Sequence, residues 1–328
     1  MIDTRLASAA PRPGRRRRGK TLSVVIPMHN EAEGLDILFA RLDAATSDLG
    51  VKVEIVCVDD GSRDDTFERL AARARSDRRL RLLALTRNFG KEAALTAGIE
   101  AARGHMVVPL DADLQDPPEL IAEFVALWEQ GYDVIYGVRA DRSSDKRLKR
   151  LTAGLFYSFF NLLSDYPIPS GAGDFRLMDR AVVEALNALP ERNRFMKGLF
   201  AWVGFRQAGV PYVRPIRAAG ATSWGYFKLW RFALDGLTAF STLPLRIWTT
   251  VGVLAAVLAV AYAAVIVAQV LLYGRQLPGY ASLMVVVLFG FALQMIALGV
   301  LGEYVGRLYQ EVKSRPVYLV RERIGFDS

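Results

Sequence analysis

The residues best suited to chemistry lie in the run LDADLQDPP over 110–118. An apolar stretch, MVVPLD over 106–111, ends in Asp111-Ala112-Asp113, with Gln115 and Asp116 close behind. Two carboxylates one residue apart at a strand end are hard oxygen ligands. They suit Mg²⁺ or Mn²⁺, which then bridges to phosphate oxygens. On its own such a pair can equally cap the helix that follows. The context adds to it. Asp59-Asp60-Gly61-Ser62 ends a second apolar run, and a third ends in Pro27 with Asn30-Glu31 just beyond. Ligands of open parallel sheets bind beyond the carboxyl ends of the strands. Three polar clusters at three such ends therefore predict one shared crevice.

The elements that must position these groups are legible in the hydrophobic pattern. Apolar runs at 22–27, 53–59, 81–86, 106–111 and 133–138 read as buried strands. Helices are expected over 31–49, from about 64, over 91–102 and over 117–130, the last with proline in its first turn. This alternation predicts an open, parallel, doubly wound α/β sheet. The character changes after residue 139. The segment 139–150 holds six basic residues and two acids, and 151–163 is apolar and aromatic at helical spacing. A Pro/Gly loop over 165–173 precedes a strand at 174–178. Helices through 189 and over 195–203 and a strand at 205–213 complete the sequence reading of this domain.

Two stretches then have no charge at all. Residues 251–273 and 282–302 each contain a single Gln and no Asp, Glu, Lys or Arg. At about 1.5 Å per residue each crosses a hydrocarbon core of about 30 Å. The short link carries Pro278 and Gly279, which predicts a two-helix transmembrane hairpin. The link has one cation, Arg275. Arg307, Lys313, Arg315, Arg321 and Arg323 follow the second span, and Lys228, Arg231 and Arg246 precede the first. The positive-inside rule places both termini and the catalytic domain in the cytoplasm, on a multi-pass protein of the inner (plasma) membrane. Residues 1–20 lack the apolar core of a signal peptide. The expected organisation is a disordered basic tail (1–20), a catalytic α/β domain (21–223), an interfacial amphipathic region mixing aromatics with Lys and Arg (224–248), the hairpin (249–304) and a cytoplasmic tail (305–328).

The net charge of +8 first suggests a nucleic-acid partner. Seven basic side chains and one acid fall in residues 1–20, so the body is nearly neutral. No nucleic-acid partner is expected, and a membrane surface fits a basic arm on a neutral body. The single cysteine, Cys57, excludes an intramolecular disulfide and reads as a core residue. One Cys and two distant His do not make a zinc set. The chain has neither a strand-linked GxGxxG nor a Walker A sequence, which argues against dinucleotide oxidoreductases and P-loop NTPases.

Taken together, VVIPMHNE (24–31), VCVDDGSRDDT (56–66), LTRNFGKEAALTAG (85–98) and LDADLQDPP (110–118) resemble the family 2 inverting glycosyltransferases of GT-A fold. SGAGDFRLMDR (170–180), the Trp-rich 224–248 and the hairpin narrow the likeness to the polyprenyl-phosphate glycosyltransferases. That group includes bactoprenol glucosyltransferases and dolichol-phosphate mannose synthases. The resemblance covers about 21–315 and implies a Rossmann-like nucleotide-sugar domain. In that family Pro27, Glu31 and Asp59, with Asp60, would hold uracil and ribose. Asp111 and Ala112 would lie along the sugar–diphosphate, and Asp113 and Gln115, with Asp111, would bind Mg²⁺ or Mn²⁺. Arg139 and Arg217 would contact donor phosphates, and Lys149, Arg150 and Lys228 the lipid phosphate. Asp174 would face the sugar or acceptor, as a positioning group or as a general base. Many relatives have R-x-x-G-x-S-K, whereas here Arg217 leads RAAGATS without the Lys. The implied activity is transfer of a hexose, glucose from UDP-glucose, onto undecaprenyl or another polyprenyl phosphate, by a homo-oligomer. GDP-mannose, UDP-galactose or an aminosugar nucleotide are the alternative donors. A non-catalytic nucleotide-sugar-binding membrane protein is the alternative of another class.

Overall fold

The computed structural model describes residues 19–139, 172–192, 194, 196–213, 243–273 and 279–326. The expected basic tail, the 139–150 cationic run beyond Arg139, the 151–163 helix and most of the interfacial region lie outside the described residues. So do the site candidates Lys149, Arg150, Arg217 and Lys228.

The domain is built on one eight-stranded sheet in the order β7-β5-β6-β4-β1-β2-β3-β8. The strands are β1 (Thr21–Met28), β2 (Lys52–Asp59), β3 (Leu80–Leu85), β4 (Met106–Pro109), β5 (Val134–Arg139), β6 (Ala172–Asp179), β7 (Gln207–Tyr212) and β8 (Val320–Ile324). Helices α1 (Leu35–Thr46), α2 (Thr66–Ser76), α3 (Lys91–Ala101), α4 (Ile121–Glu129), α5 (Arg180–Asn187) and α6 (Met196–Trp202) cover its faces. The central strands are largely apolar because both faces are covered, with Ser23 of β1 and Glu54 of β2 buried as a hydrogen-bonded pair. In β1, Leu22, Val24 and Ile26 pack under α1, α2 and α4, while Val25 packs under α3. Cys57 belongs to the first of these layers and is fully buried.

The sheet corrects the expectation of parallel strands. β6 runs antiparallel between β4 and β5, and β8 runs antiparallel along β3. Strand direction is set by how the chain returns to the sheet, and an apolar run carries no sign of it. The consequence is local and chemical. An antiparallel strand brings its beginning, not its end, to the carboxyl edge of its neighbours: Val138 of β5 pairs with Ala172 of β6.

The apolar stretches are the helices α7 (Leu243–Tyr273) and α8 (Tyr280–Val312). Their apolar side chains face outward, with Val257 60% and Val285 67% exposed, so they are not core helices. Helices this apolar and this exposed match a bilayer interior. α8 has 33 residues, about 50 Å, longer than the hydrocarbon core. Its last turns meet the globular domain, where the backbone N–H of Arg192 donates to both oxygens of Glu311 (3.1 and 3.2 Å).

Within the segment after the hairpin, for which the sequence suggests no strand, residues 320–324 return to the sheet as edge strand β8. Thr86 N–H donates to Leu319 O at 2.9 Å, the Tyr318 hydroxyl donates to Glu100 on α3, and Arg321 lies over the Phe67 ring on α2. The exposed, charged sequence VRERI has no continuous apolar run to mark it as a strand.

Candidate active site

The carboxyl ends of the strands converge on one polar edge, and the loops there are held by side chains rather than by secondary structure. At the end of β2, Asp59 Oδ1 accepts the Ser62 N–H at 3.1 Å, which turns the chain. Asp60 is buried, and its two oxygens accept the N–H groups of Phe89 (2.7 Å) and Gly90 (2.9 Å) on the next loop. Burial raises the Asp60 pKa, and the two N–H groups oppose that rise. Gly61 stands between the two loops at φ +64°. A Cβ there would come 2.5 Å from the Arg87 carbonyl carbon, so the approach is open only to glycine. The sequence Asp59-Asp60-Gly61-Ser62 is thus a clamp between the β2 and β3 loops.

Beside this clamp, His29, Asn30, Gly61, Arg63, Arg87 and Asn88 line a cavity of about 430 Å³. Asn30 is left-handed (φ 57°) and its side-chain oxygen accepts the Arg63 N–H at 2.8 Å. Pro27 and Glu31 flank it at the end of β1, with Glu31 N–H donating to Thr66 Oγ1 at 2.9 Å. Pro27, Glu31, Asp59 and Asp60 therefore gather around the ends of β1 and β2. The cavity's two arginines and His29 were not singled out from sequence, because nothing distinguishes a loop arginine that lines a cavity from one that is only solvated.

The Asp111–Asp116 turn follows β4. Asp113 Oδ1 accepts the Gln115 N–H at 3.2 Å, an Asx turn, and Leu114 is left-handed (φ 54°) and buried. A left-handed leucine is costly, and such strain concentrates at functional loops. Asp111, Ala112, Asp113 and Gln115 are all partly exposed. The donors are all oxygen, which suits Mg²⁺ or Mn²⁺. Among the described residues no three Asp, Glu, His or Cys side chains converge as a metal cluster. A cation held by so few protein oxygens would take its remaining ligands from outside the protein.

The antiparallel course of β6 delivers Asp174 to this edge. Met106 pairs with Asp179 and Val107 with Met178. Continuing that register sets Asp111 opposite Asp174. Between them stands Lys91, the first residue of α3. Its Nζ is 2.7 Å from Asp111 Oδ1, 2.8 Å from Asp111 Oδ2 and 3.0 Å from Asp174 Oδ2. The Lys91 side chain is still 44% exposed, and although its partial desolvation acts to lower the pKa, the two carboxylates outweigh it and hold the ammonium above its ordinary range. Arg176, two residues on and buried, donates to Gly173 O at 2.6 Å and stacks 3.8 Å from the Phe200 ring centroid. Burial depresses its pKa to about 10, against the pull of Asp174 and Tyr136.

Arg139, at the end of β5, closes the other side. It hydrogen-bonds the Tyr212 hydroxyl, and that hydroxyl donates to buried Asp116. Burial first, then the Asp116 charge, pushes the Tyr212 pKa up to about 12. Asp111, Asp113, Gln115, Arg139 and Asp174 thus share one edge, while Arg217 lies outside the described residues. Lys91 carried no assignment from sequence, although it lies in the 85–98 stretch that contributes to the family resemblance. The signal for it is a cation at a helix N-terminus, where the helix dipole disfavours one.

The family model described as glycosyl transferase family 2 matches residues 23–186, and the GtrB C-terminal hairpin model matches residues 243–308. An uncharacterised glycosyltransferase of Synechocystis sp. is 51% identical, over 93% of this chain and 96% of its own. A prophage bactoprenol glucosyl transferase homolog of Escherichia coli K12 is 46% identical, over 92% of this chain and 98% of its own. The bactoprenol glucosyl transferase of Shigella phage SfII is 45% identical, over 92% and 97%. Among solved structures, a mannosyltransferase from Pyrobaculum calidifontis in complex with GDP-Man and Mn²⁺ is 20% identical, covering 93% of this chain and 90% of its own, with a TM-score of 0.48.

Proposed function

From the premise that the chain belongs to glycosyl transferase family 2 and carries the GtrB C-terminal hairpin, we propose that it moves glucose from UDP-glucose onto a polyprenyl phosphate, undecaprenyl phosphate in particular. The observation that carries this reading is one edge holding Asp111, Asp113, Gln115, Asp174 and Arg139 in a chain with an exposed apolar hairpin. The names of the bactoprenol glucosyl transferase relatives support the choice of sugar and lipid.

The nucleoside would lie in the cavity beside Pro27, Glu31 and Asp59, whose volume of about 430 Å³ is ordinary for a ligand pocket. Asp60 would act there through the loop it clamps. The diphosphate would run along Asp111 and Ala112 toward Arg139, with Arg217 as a further phosphate contact. Asp113 and Gln115, with Asp111, would hold Mg²⁺ or Mn²⁺, which when bound supplies positive charge to the leaving diphosphate. An oxygen of the lipid phosphate attacks C1 of the sugar. The C1–O bond to the diphosphate breaks with inversion, and its electron pair leaves with UDP. The difficulty of this step is the charge on the leaving group, which placed cations stabilise. The nucleophile is already anionic, so Asp174 is better cast as an orienting group than as an essential base. Lys149, Arg150 and Lys228 are proposed to meet the lipid phosphate.

The proposed topology, a hairpin with both ends on one side of the membrane, is supported by β8. One sheet contains residues from before and after the hairpin, so both ends of the hairpin start from one side of the bilayer. The excess of Lys and Arg at those ends supports the cytoplasm as that side. Self-association in the membrane is proposed as well, and crosslinking in detergent tests it.

The deciding assay combines the purified protein with radiolabelled UDP-glucose, Mg²⁺ and undecaprenyl phosphate. Chloroform-soluble label is the expected result. No such label, with UDP-galactose, GDP-mannose and aminosugar nucleotides also tried, overturns the reading. Label from another donor alone would change only the sugar.

A further inference from the structure

Lys91 breaks a local rule. It opens α3, where the helix dipole presents partial positive charge and an anion is preferred. No helical requirement explains a cation there. Its placement is nevertheless determined in detail. The preceding residue, Gly90, adopts φ 99°, and the backbone of Phe89 and Gly90 is held by both oxygens of Asp60. The loop therefore delivers the lysine to a set position, and its ammonium spans two carboxylates from different strands. Asp174 is only 15% exposed, so this end of the bridge is shielded from water. Asp111 belongs to the β4 turn on the donor side, and Asp174 to the strand that arrives antiparallel.

We propose that Lys91 is a positioning residue of the transfer site, tying Asp174 to Asp111 and so fixing the first residues of β6 against the turn that follows β4. This rests on the transfer reaction proposed above and adds a part to it. Asp60 is the support at one remove, since it holds the loop from which Lys91 reaches. Buried Arg176, two residues along β6, adds a second positive charge that attracts Asp174 from within the domain. Local rules broken at one residue, with neighbours arranged to sustain it, mark a site rather than a stabilising device.

The test uses full-length protein in detergent with Lys91→Met, Asp174→Asn and the double variant. Lys91→Met is expected to lower kcat at least 30-fold while KM for the sugar nucleotide changes less than threefold. The double variant is expected to fall within threefold of the worse single variant, as for groups that act as a unit. A kcat within threefold of wild type, or losses that multiply in the double variant, overturns the proposal. Hydrogen exchange of the peptide covering 172–176 gives a readout that needs no turnover. Exchange at least tenfold faster in Lys91→Met and in Asp174→Asn is expected, and unchanged exchange overturns the clamp. Wild-type protein inactive with every donor would count against the transfer reaction alone, and the exchange data would still decide the clamp.

Discussion

Asp174 Oδ2 and Lys91 Nζ stand 3.0 Å apart although 83 residues separate them, and the same ammonium is 2.7 Å from Asp111. Three elements meet at that point: the start of α3, the turn after β4 and the first residues of β6. Its existence depends on β6 running against its neighbours, since a parallel β6 would carry Asp174 to the opposite edge of the sheet.

The oxygen donors of the β4 turn should matter for turnover and little for folding. Asp113→Asn is expected to reduce transfer by about 100-fold or more, the scale of losing one stabilising group at a developing charge. Melting temperature and nucleotide-free circular dichroism should stay near wild type. Unchanged glycolipid levels in cells that carry only this variant would favour a binding protein without catalysis.

Gly61→Ala tests the clamp between the β2 and β3 loops. The added methyl meets backbone at 2.5 Å in a left-handed residue, so a loss of roughly 1–3 kcal/mol is expected. Thermal unfolding measures that loss, and calorimetric titration with UDP should find weaker binding because the cavity wall has shifted. A variant as stable as wild type, with full UDP affinity, would mean that the loops can part without consequence.

Removing residues 316–328 takes away β8 and the Tyr318 and Arg321 contacts. The edge of β3 then has unpaired backbone groups, which invites aggregation. A melting temperature lower by about 5 °C or more is expected, from a cost of a few kcal/mol in a domain of this size. Membrane flotation should be unchanged, because α7 and α8 remain. Flotation lost together with stability would assign the anchor to the tail instead.

Cys57 should behave as an inert thiol. Burial raises its pKa well above the ordinary cysteine range, so the folded protein keeps the proton that the unfolded chain gives up near pH 8.5. The sign follows: this group's contribution to stability is complete below about pH 8.5 and declines as pH rises above it. Mass spectrometry after N-ethylmaleimide at pH 8 should find no adduct on folded protein and one adduct in denaturant. Rapid labelling of the folded form would mean that β2 opens readily.

Deleting residues 1–20 should weaken membrane association without abolishing turnover, because seven basic side chains there suit anionic headgroups and none of the proposed site residues belongs to that segment. Flotation and initial rates, measured on the same truncated protein, check the two halves separately.

Much of this protein could be read from residue order alone. Continuous apolar runs located β1 to β4 to within a residue or two at most ends, because a strand covered on both faces is largely apolar. Runs without charge located α7 and α8, because a bilayer tolerates little else. Carboxylates directly after apolar runs located the edge where chemistry is expected, since strand ends and polar turns are both local features. Three things were decided only by tertiary structure. The direction of β6 put Asp174 beside Asp111. The return of β8 to β3 put the end of the chain back on the catalytic sheet. The reach of Lys91 joined two strand ends. Each depends on how distant segments approach one another, and local pattern carries no information about that. A lysine at the start of a helix looks solvated until the sheet supplies the two carboxylates that hold it.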